Sequence, residues 1–287
     1  MISFLCLKLK CLFCLFANMY LDIIMPFTLS AVTLISVILN SKVEGRMKYF
    51  FQKKQITNKE AVFLVILVII LVTIVAMSKR YGFIDPLMML FLFSYSSLLF
   101  IFSYIFLKKW HFAIAPPIIF ILLYLFLKDT IIWSLYLANI YAIVFAILIT
   151  LYFGSIFTWK TTWIFALLLT IVDVIMVFVT KFMFEAAKAG LSLKLPVAVI
   201  LPTFPSLVGT MILGLGDFFL TGLLAIQLCK KYDRKSAIIS VITVAIAFFV
   251  FEVYSLNYYP QPFPATLIVI AGWLPVALLK SIKEIIE

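Results

Sequence analysis

The chain has 287 residues, of which 66% are hydrophobic and 12% are charged, and its mean hydropathy is +1.23. Because about a quarter of the residues in soluble proteins are charged, this composition excludes an ordinary soluble domain and indicates a polytopic membrane protein. The net charge of +11 comes from basic residues in short clusters between apolar stretches, a pattern that reflects membrane topology and argues against nucleic acid as a partner.

A transmembrane helix needs about 20 apolar residues to cross a hydrocarbon core of about 30 Å. Nine segments of the sequence meet this requirement, so we predict an all-α, polytopic transmembrane bundle with about nine spans. The apolar runs are continuous and lack the alternation of barrel strands, which favours helices. The predicted spans cover residues 20–40, 61–77, 84–107, 111–127, 131–153, 161–184, 204–228, 236–256 and 264–280.

The N-terminal residues 1–19 are apolar but contain Lys8 and Lys10. We interpret them as a leader or an extra segment and do not count them as a span. Residues 20–287 are predicted to form a single membrane-embedded domain, because no polar stretch is long enough for a soluble one. The longest polar stretch, residues 41–60, is predicted to be a loop.

The distribution of basic residues predicts that the N-terminus lies outside and the C-terminus lies in the cytoplasm. In this orientation fifteen Lys and Arg residues fall on the inside and eight fall elsewhere, as the positive-inside rule requires. Lys181, Lys188 and Lys194 lie on the opposite side and weaken the preference. The C-terminal sequence has no obvious retention signal, which favours a prokaryotic cytoplasmic membrane.

The residue types present exclude several chemistries. His111 is the single histidine, so the chain lacks the histidines that Ser/His dyads and multi-histidine metal centres need. Cys11 and Cys14 form one CxxC pair without a second pair, which disfavours a zinc or redox role. We therefore expect neither a metal ion nor a cofactor.

Most of the twelve acidic residues lie in loops or near the ends of predicted spans. Asp22 and Glu252 are interpreted as reaching headgroups or water, Glu252 by snorkelling. Asp173 and Asp217 instead lie close to the middle of their spans. An ionisable group at that depth costs at least about 2.5 kcal/mol and indicates a functional site.

These two acidic residues are predicted to lie at the same depth. Asp173 follows Lys160 by thirteen residues, and Asp217 precedes Lys230 by thirteen residues on the next, oppositely directed span. At a rise of about 1.5 Å per residue, both lie roughly 20 Å from the same layer of cytoplasmic charge. The carboxylates can therefore face each other if the two spans pack together.

Gly214 and Gly216 would allow this packing, because residues without side chains let backbones approach closely. Two neighbouring carboxylates share a proton. One can then deprotonate an attacking water while the other protonates a carbonyl oxygen, as in aspartic proteases. The same residues are equally compatible with buried acids paired with hydroxyls or Lys181, or with a proton or cation relay in a carrier.

The run GLGD at residues 214–217 resembles the GxGD motif of the intramembrane aspartyl proteases, the family of presenilins and signal peptide peptidases. The sequence VDVIMVF around Asp173 is similar to the family's YD segment, and QPFPATL at residues 261–267 resembles the region of its PAL motif. These similarities span residues 160–280. Prepilin-type peptidases also carry GxGD, commonly with a Lys two residues after the aspartate, where this chain has Phe219.

The resemblance implies an intramembrane aspartic endopeptidase without cofactor or metal, which cuts transmembrane helices or remnant signal peptides within the lipid bilayer. Residues 20–153 would then form scaffold helices and residues 160–280 the catalytic helices. By position, it implies the following roles: Asp173 and Asp217 as the catalytic pair, Gly214, Leu215 and Gly216 as motif and active-site packing residues, and Pro264, Ala265 and Thr266 as substrate-binding residues.

Two positions depart from the family pattern, because Val172 replaces a Tyr and Thr266 replaces a Leu. These departures leave open a third possibility, a catalytically silent homologue that binds membrane helices. The orientation predicted above is that of signal peptide peptidases and opposite to that of presenilins. The sequence does not indicate an oligomeric state.

The segment before the seventh predicted span contains three prolines, at positions 196, 202 and 205, with β-branched residues between them. Proline discourages a continuous helix and β-branching favours an extended backbone. We therefore predict that residues 195–205 pair as a strand with unwound substrate. An equally open alternative is a non-helical lead-in or a kinked first turn of the span.

Overall fold

The computed structural model describes residues 19–50, 55–207, 209–258 and 261–286. The chain is 82% helical, and eight of its helical stretches are long and apolar enough to cross a membrane. This confirms an all-α polytopic bundle, although not the predicted number of nine spans. The predictions for the N-terminal leader and for Cys11 and Cys14 lie outside the described residues.

The elements follow one another in two groups. The first group comprises α1 (Ile24–Phe50), α2 (Asn58–Tyr81), α3 (Ile84–Leu107), α4 (Trp110–Ala113), α5 (Ala115–Leu127), a π-helical segment (Trp133–Leu137) and α6 (Ala138–Ile156). The second comprises α7 (Trp159–Val174), a π-helical segment (Ile175–Val179), α8 (Phe182–Ser192), β1 (Ala198–Pro202), β2 (Thr210–Gly214), α9 (Leu215–Lys231), α10 (Arg234–Tyr258) and α11 (Ala265–Ile286).

Side-chain caps set the start of two of the spanning helices. Thr57 and Glu60 form a capping box at the start of α2, in which each side chain bonds the other residue's backbone N–H. Thr158 and Thr161 do the same at the start of α7. These contacts satisfy N–H groups that lack partners within their own helix. The loop predicted for residues 41–60 is too long, because α1 continues to Phe50.

The prediction that residues 204–228 form a single spanning helix is wrong. Its first part is the strand β2, and the helix α9 that follows has only 17 residues. β2 pairs with β1 as an antiparallel two-stranded sheet. The extended backbone predicted from the three prolines is therefore present, and it is paired within the chain.

Helix α9 forms the centre of the bundle. Every residue from Phe218 to Leu228 is buried, so that this helix has no lipid-facing side over three turns. Helices α1, α6, α7, α10 and α11 pack around it. The two helices that carry Asp173 and Asp217 are in contact, and the rings of Phe165 on α7 and Phe219 on α9 meet at 6.0 Å.

Close helix packing occurs at other glycines than expected. A Cβ added to Gly222 would lie 2.5 Å from the side chain of Thr150, and one added to Gly272 would lie 2.5 Å from the Cα of Val244. A Cβ added to Gly216 would meet no atom within 4 Å. The expectation that Gly216 brings α7 and α9 together is therefore wrong.

A polar cluster occupies one end of the bundle. The ammonium of Lys230 pairs with Glu44 at 2.8 Å and donates to the carbonyl oxygen of Gly154 at 2.7 Å. The side-chain amide of Gln227 donates to the carbonyl oxygens of Gly154 and Phe157 at 3.2 and 3.1 Å. The last carbonyl groups of α6 thus gain partners from α9, which joins the two helices at this end.

At the opposite end, two acidic residues are buried in the protein. Asp22 is fully buried and accepts hydrogen bonds from the N–H groups of Ile24 and Phe204. Glu252 is 4% exposed and lies within electrostatic range of Asp22. The expectation that these residues reach headgroups or water is wrong, because the segment before α1 folds over the end of α10.

The packing at Gly272 makes a prediction for stability. Alanine at this position forces α10 and α11 apart, so we expect Gly272→Ala to lower the free energy of unfolding by about 1–3 kcal/mol. Gly45→Ala is the control, because a Cβ there meets nothing within 4 Å and alanine favours a helix by up to about 1 kcal/mol. Thermal unfolding in detergent should separate the two variants, and equal midpoints would contradict the packing.

Candidate active site

Asp173 lies in the last turn of α7 and is 7% exposed. The hydroxyl of Thr266 donates a hydrogen bond to its Oδ2 atom at 2.7 Å, and the backbone N–H of Thr266 lies near the same carboxylate. Thr266 is the second residue of α11, so its N–H is one of those left without a partner inside that helix. The carboxylate of Asp173 therefore caps a neighbouring helix.

Asp217 occupies the third position of α9, with Gly214 as the capping residue. The backbone N–H of Gly214 lies near the Asp217 carboxylate, in the arrangement of one half of a capping box. A carboxylate in the first turn also interacts favourably with the helix dipole. The GLGD run therefore has a local structural reason: its aspartate closes the start of the helix on which it lies.

The structure brings the two carboxylates into one site. Asp217 is half-buried and lies within electrostatic range of Asp173. Among the described residues, neither carboxylate forms an ion pair with a Lys or Arg, and Lys181 is exposed. A buried acid paired with a hydroxyl or with Lys181 was one interpretation of Asp173. In the structure its carboxylate is paired with the hydroxyl of Thr266 and not with Lys181.

The substrate-binding residues implied by the resemblance lie at the start of α11. Pro264 is buried just before the helix, Ala265 is its first residue, and Thr266 faces Asp173. Thr266 is 5% exposed, so its hydroxyl contacts a carboxylate instead of lying on an open surface. At the other helix, the N–H of Leu215 donates to the carbonyl oxygen of Val197 at 3.1 Å, which joins α9 to the segment before β1.

Gly216 leaves open space beside Asp217. The residue is exposed, and an added Cβ would meet no atom within 4 Å. At Gly214 an added Cβ would approach only the Oδ2 atom of Asp217, at 3.4 Å. Space is therefore free at Gly216, and Gly214 lies against the carboxylate of Asp217.

A side chain occupies one edge of the two-stranded sheet. In the antiparallel register Ile200 on β1 faces Ile212 on β2. Asn139 on α6 donates from Nδ2 to the carbonyl oxygen of Ile200 and accepts at Oδ1 from the N–H of Ile200, both at 2.8 Å. The backbone groups of Ile200 thus point away from β2. By the alternation of antiparallel pairs, those of Ile212 point to the opposite edge.

The opposite edge of the sheet leads to Asp217. Gly214 follows Ile212 by two residues, so its N–H lies on the same edge, near the Asp217 carboxylate. Within the part of the chain that the structure describes, the N–H and carbonyl of Ile212 have no hydrogen-bond partner, and its side chain is 52% exposed. A free strand edge and a carboxylate pair are therefore adjacent.

Over residues 19–50, 55–207, 209–258 and 261–286, no group of three or more His, Cys, Asp or Glu side chains could hold a metal ion. Sequence reasoning missed Asn139, whose one available signal is a carboxamide in an otherwise apolar helix. Neither a comparison with models of protein families nor a search of curated proteins finds a match to this chain.

Proposed function

We propose that this protein is an intramembrane aspartic endopeptidase of the presenilin and signal peptide peptidase type. The observation that carries the proposal is the adjacency of Asp173 and Asp217 in a site that has a free strand edge beside it. A shared proton between two carboxylates is the arrangement by which aspartic proteases activate water. The GxGD resemblance of residues 214–217 supports the same conclusion.

The hydrogen bonds favour different roles for the two carboxylates. Asp173 accepts a hydrogen bond from the Thr266 hydroxyl and lies near the Thr266 N–H, and such donors stabilise the ionised form. We therefore assign Asp173 as the general base and Asp217 as the proton donor. Water loses a proton to Asp173 and attacks the carbonyl carbon, while Asp217 protonates the carbonyl oxygen. Proton transfer from Asp173 to the amide nitrogen then lets the C–N bond break, and Asp217 recovers its proton from the diol.

The edge of β2 is the part of the site that would receive the substrate. A peptide bond inside a regular helix is inaccessible to water, so a transmembrane substrate must unwind locally. An unwound segment can pair with the N–H and carbonyl of Ile212 as an added strand, which compensates for its lost helical hydrogen bonds. Strand addition at this edge brings the substrate backbone toward Asp217.

The proposed substrates are transmembrane helices or remnant signal peptides in a prokaryotic cytoplasmic membrane. In the proposed orientation, the N-terminus is outside, the polar cluster of Lys230 and Glu44 faces the cytoplasm, and the sheet lies toward the outside. The excess of basic residues at the end that includes Lys230, Lys231 and Arg234 supports this orientation.

Replacing either carboxylate tests the proposed chemistry. A reporter with one transmembrane helix should be cut within that helix by the purified protein in liposomes, as read by mass spectrometry. We expect Asp173→Asn and Asp217→Asn each to lower the rate by at least about 100-fold, because each removes a proton-transfer group. Asp85→Asn, at an exposed acid in the first turn of α3, is the matched control and should cut normally. Equal products from all variants would identify a contaminating protease.

The Thr266 hydroxyl can be tested separately. Thr266→Val keeps the shape and removes the O–H donor, so we expect kcat to fall about tenfold, since a hydrogen bond to a charged group contributes about 1.5–3 kcal/mol. Thr266→Ser keeps the donor and should retain a rate close to that of the unmodified protein. Thermal midpoints should be compared in parallel. If Thr266→Val and Thr266→Ser cut at the same rate, the hydroxyl of Thr266 does not assist Asp173 as the general base.

Accessibility of single cysteines tests the orientation. In a variant that lacks the four native cysteines, Gln55→Cys lies between α1 and α2, and Lys188→Cys lies on α8 at the opposite end of the bundle. A membrane-impermeant maleimide should label Lys188→Cys on intact cells and Gln55→Cys only after the cells are opened. The reverse pattern would show that the protein has the opposite orientation.

A further inference from the structure

Four buried side chains from the first half of the chain hold the backbone of residues 193–200, which leads into β1. We call them the clamp residues. The hydroxyls and the indole N–H among them donate to the carbonyl groups of three residues between positions 193 and 196, and the carboxamide binds Ile200 on β1. The contacts are Tyr124 to Leu193 O at 2.8 Å, Trp133 to Lys194 O at 2.8 Å, Tyr95 to Pro196 O at 3.3 Å and Asn139 to Ile200 at 2.8 Å.

The clamp is supported at its exposed end by an ion pair. Lys194 Nζ lies 2.8 Å from Asp129 Oδ1. The hydrogen bond from Lys194 holds the pKa of the Asp129 carboxyl below its usual range. The segment before β1 is therefore attached to the helices on one side along its whole length.

Asn139 has the most constrained geometry among the clamp residues. Its Nδ2 donates both to Ile200 O at 2.8 Å and to Leu135 O at 3.0 Å, while its Oδ1 accepts from the N–H of Ile200 at 2.8 Å. Leu135 belongs to the π-helical segment Trp133–Leu137, a local departure from α-helical bonding that is frequent at functional sites. Because three bonds fix the carboxamide, Asn139 presents one donor and one acceptor to β1, as a neighbouring strand would.

This contact determines which edge of the sheet remains available. Asn139 is 8% exposed and uses both outward-facing groups of Ile200, so no further strand can pair with β1 there. The corresponding groups of Ile212 on β2 have no partner among the described residues. An extended peptide that meets this sheet therefore finds one edge only, and that edge leads to Asp217.

We propose that Asn139 is a positioning residue that closes the outer edge of β1 and fixes the position of the sheet, so that an extended substrate pairs with β2 in a single register. The inference rests on the proposed endopeptidase function and adds a determinant of cleavage position. Asn139 acts through the sheet and does not touch the reacting atoms. A slip by one residue reverses which side chains face the site, so loss of the contact that fixes β1, and through it β2, changes where the substrate is cut.

The test compares cleavage positions in three variants with those of the unmodified protein. Asn139→Leu removes both bonds to β1 and keeps the number and branching of the side-chain heavy atoms. Tyr124→Phe removes a clamp contact distant from the edge, and Ser155→Ala removes a buried hydroxyl of α6 that bonds only its own helix. The readouts are kcat, KM and the cut sites in a one-helix reporter, together with hydrogen–deuterium exchange of residues 198–202 without substrate.

We expect the unmodified protein and both control variants to give one dominant cut. For Asn139→Leu we expect additional cuts at neighbouring peptide bonds and a KM raised by about tenfold, equivalent to about 1.4 kcal/mol, with a much smaller change in kcat. Amide exchange in residues 198–202 should accelerate at least about tenfold, because the N–H of Ile200 loses its hydrogen bond to Asn139.

Each contrary result has its own meaning. If Asn139→Leu keeps the single cut and the same KM, the positioning role is overturned. If Tyr124→Phe scatters the cuts equally, the effect is general loosening and Asn139 has no special part. If the unmodified protein cuts no substrate, the endopeptidase function fails, and the exchange measurement still decides the closure of β1: unchanged exchange in Asn139→Leu overturns it.

Discussion

A helix that begins inside an apolar bundle leaves backbone N–H groups without partners, and these groups organise the site. At the start of α9 the N–H of Gly214 lies near the carboxylate of Asp217, and at the start of α11 the N–H of Thr266 lies near that of Asp173, which also accepts the Thr266 hydroxyl. Water cannot satisfy such groups in the hydrocarbon core. Each carboxylate thus has a structural partner that holds it in place, and the contact of α7 with α9 and α11 brings the two together.

The irregular backbone before α9 follows the same constraint. β1 and β2 satisfy one another across the sheet, and the clamp residues satisfy the carbonyls that precede β1. Aromatic packing fixes these side chains, for the rings of Tyr95 and Phe145 stack at 4.2 Å. Helices α3, α5 and α6 therefore do more than surround the site. Their side chains hold β1 and the segment before it, and β1 in turn pairs with β2 beside Asp217.

Much of the architecture was predictable from the sequence because hydropathy reports long apolar helices directly. Asp173 and Asp217 could be selected because acidic residues are rare and costly at that depth. The strand β2 was missed, because a short apolar run such as residues 210–214 has the same hydropathy in a strand and a helix. The close contacts at Gly222 and Gly272 and the bond from Thr266 to Asp173 depend on which helices become neighbours, which a single sequence does not reveal. Asn139 was missed for the same reason.

The short length of α9 has a consequence for the fragments of a cleaved membrane helix. Asp217 precedes Lys231 by fourteen residues, or about 21 Å of helix, in a hydrocarbon layer of about 30 Å. With Lys231 at one surface of that layer, Asp217 lies past the midplane, closer to the opposite surface. Under the proposed function, a substrate helix cut at that level would yield two unequal pieces: a short one with too few apolar residues to stay embedded, and a longer one that keeps most of its lipid contact. Release would then be directional, with one product leaving the membrane at once and the other diffusing within it.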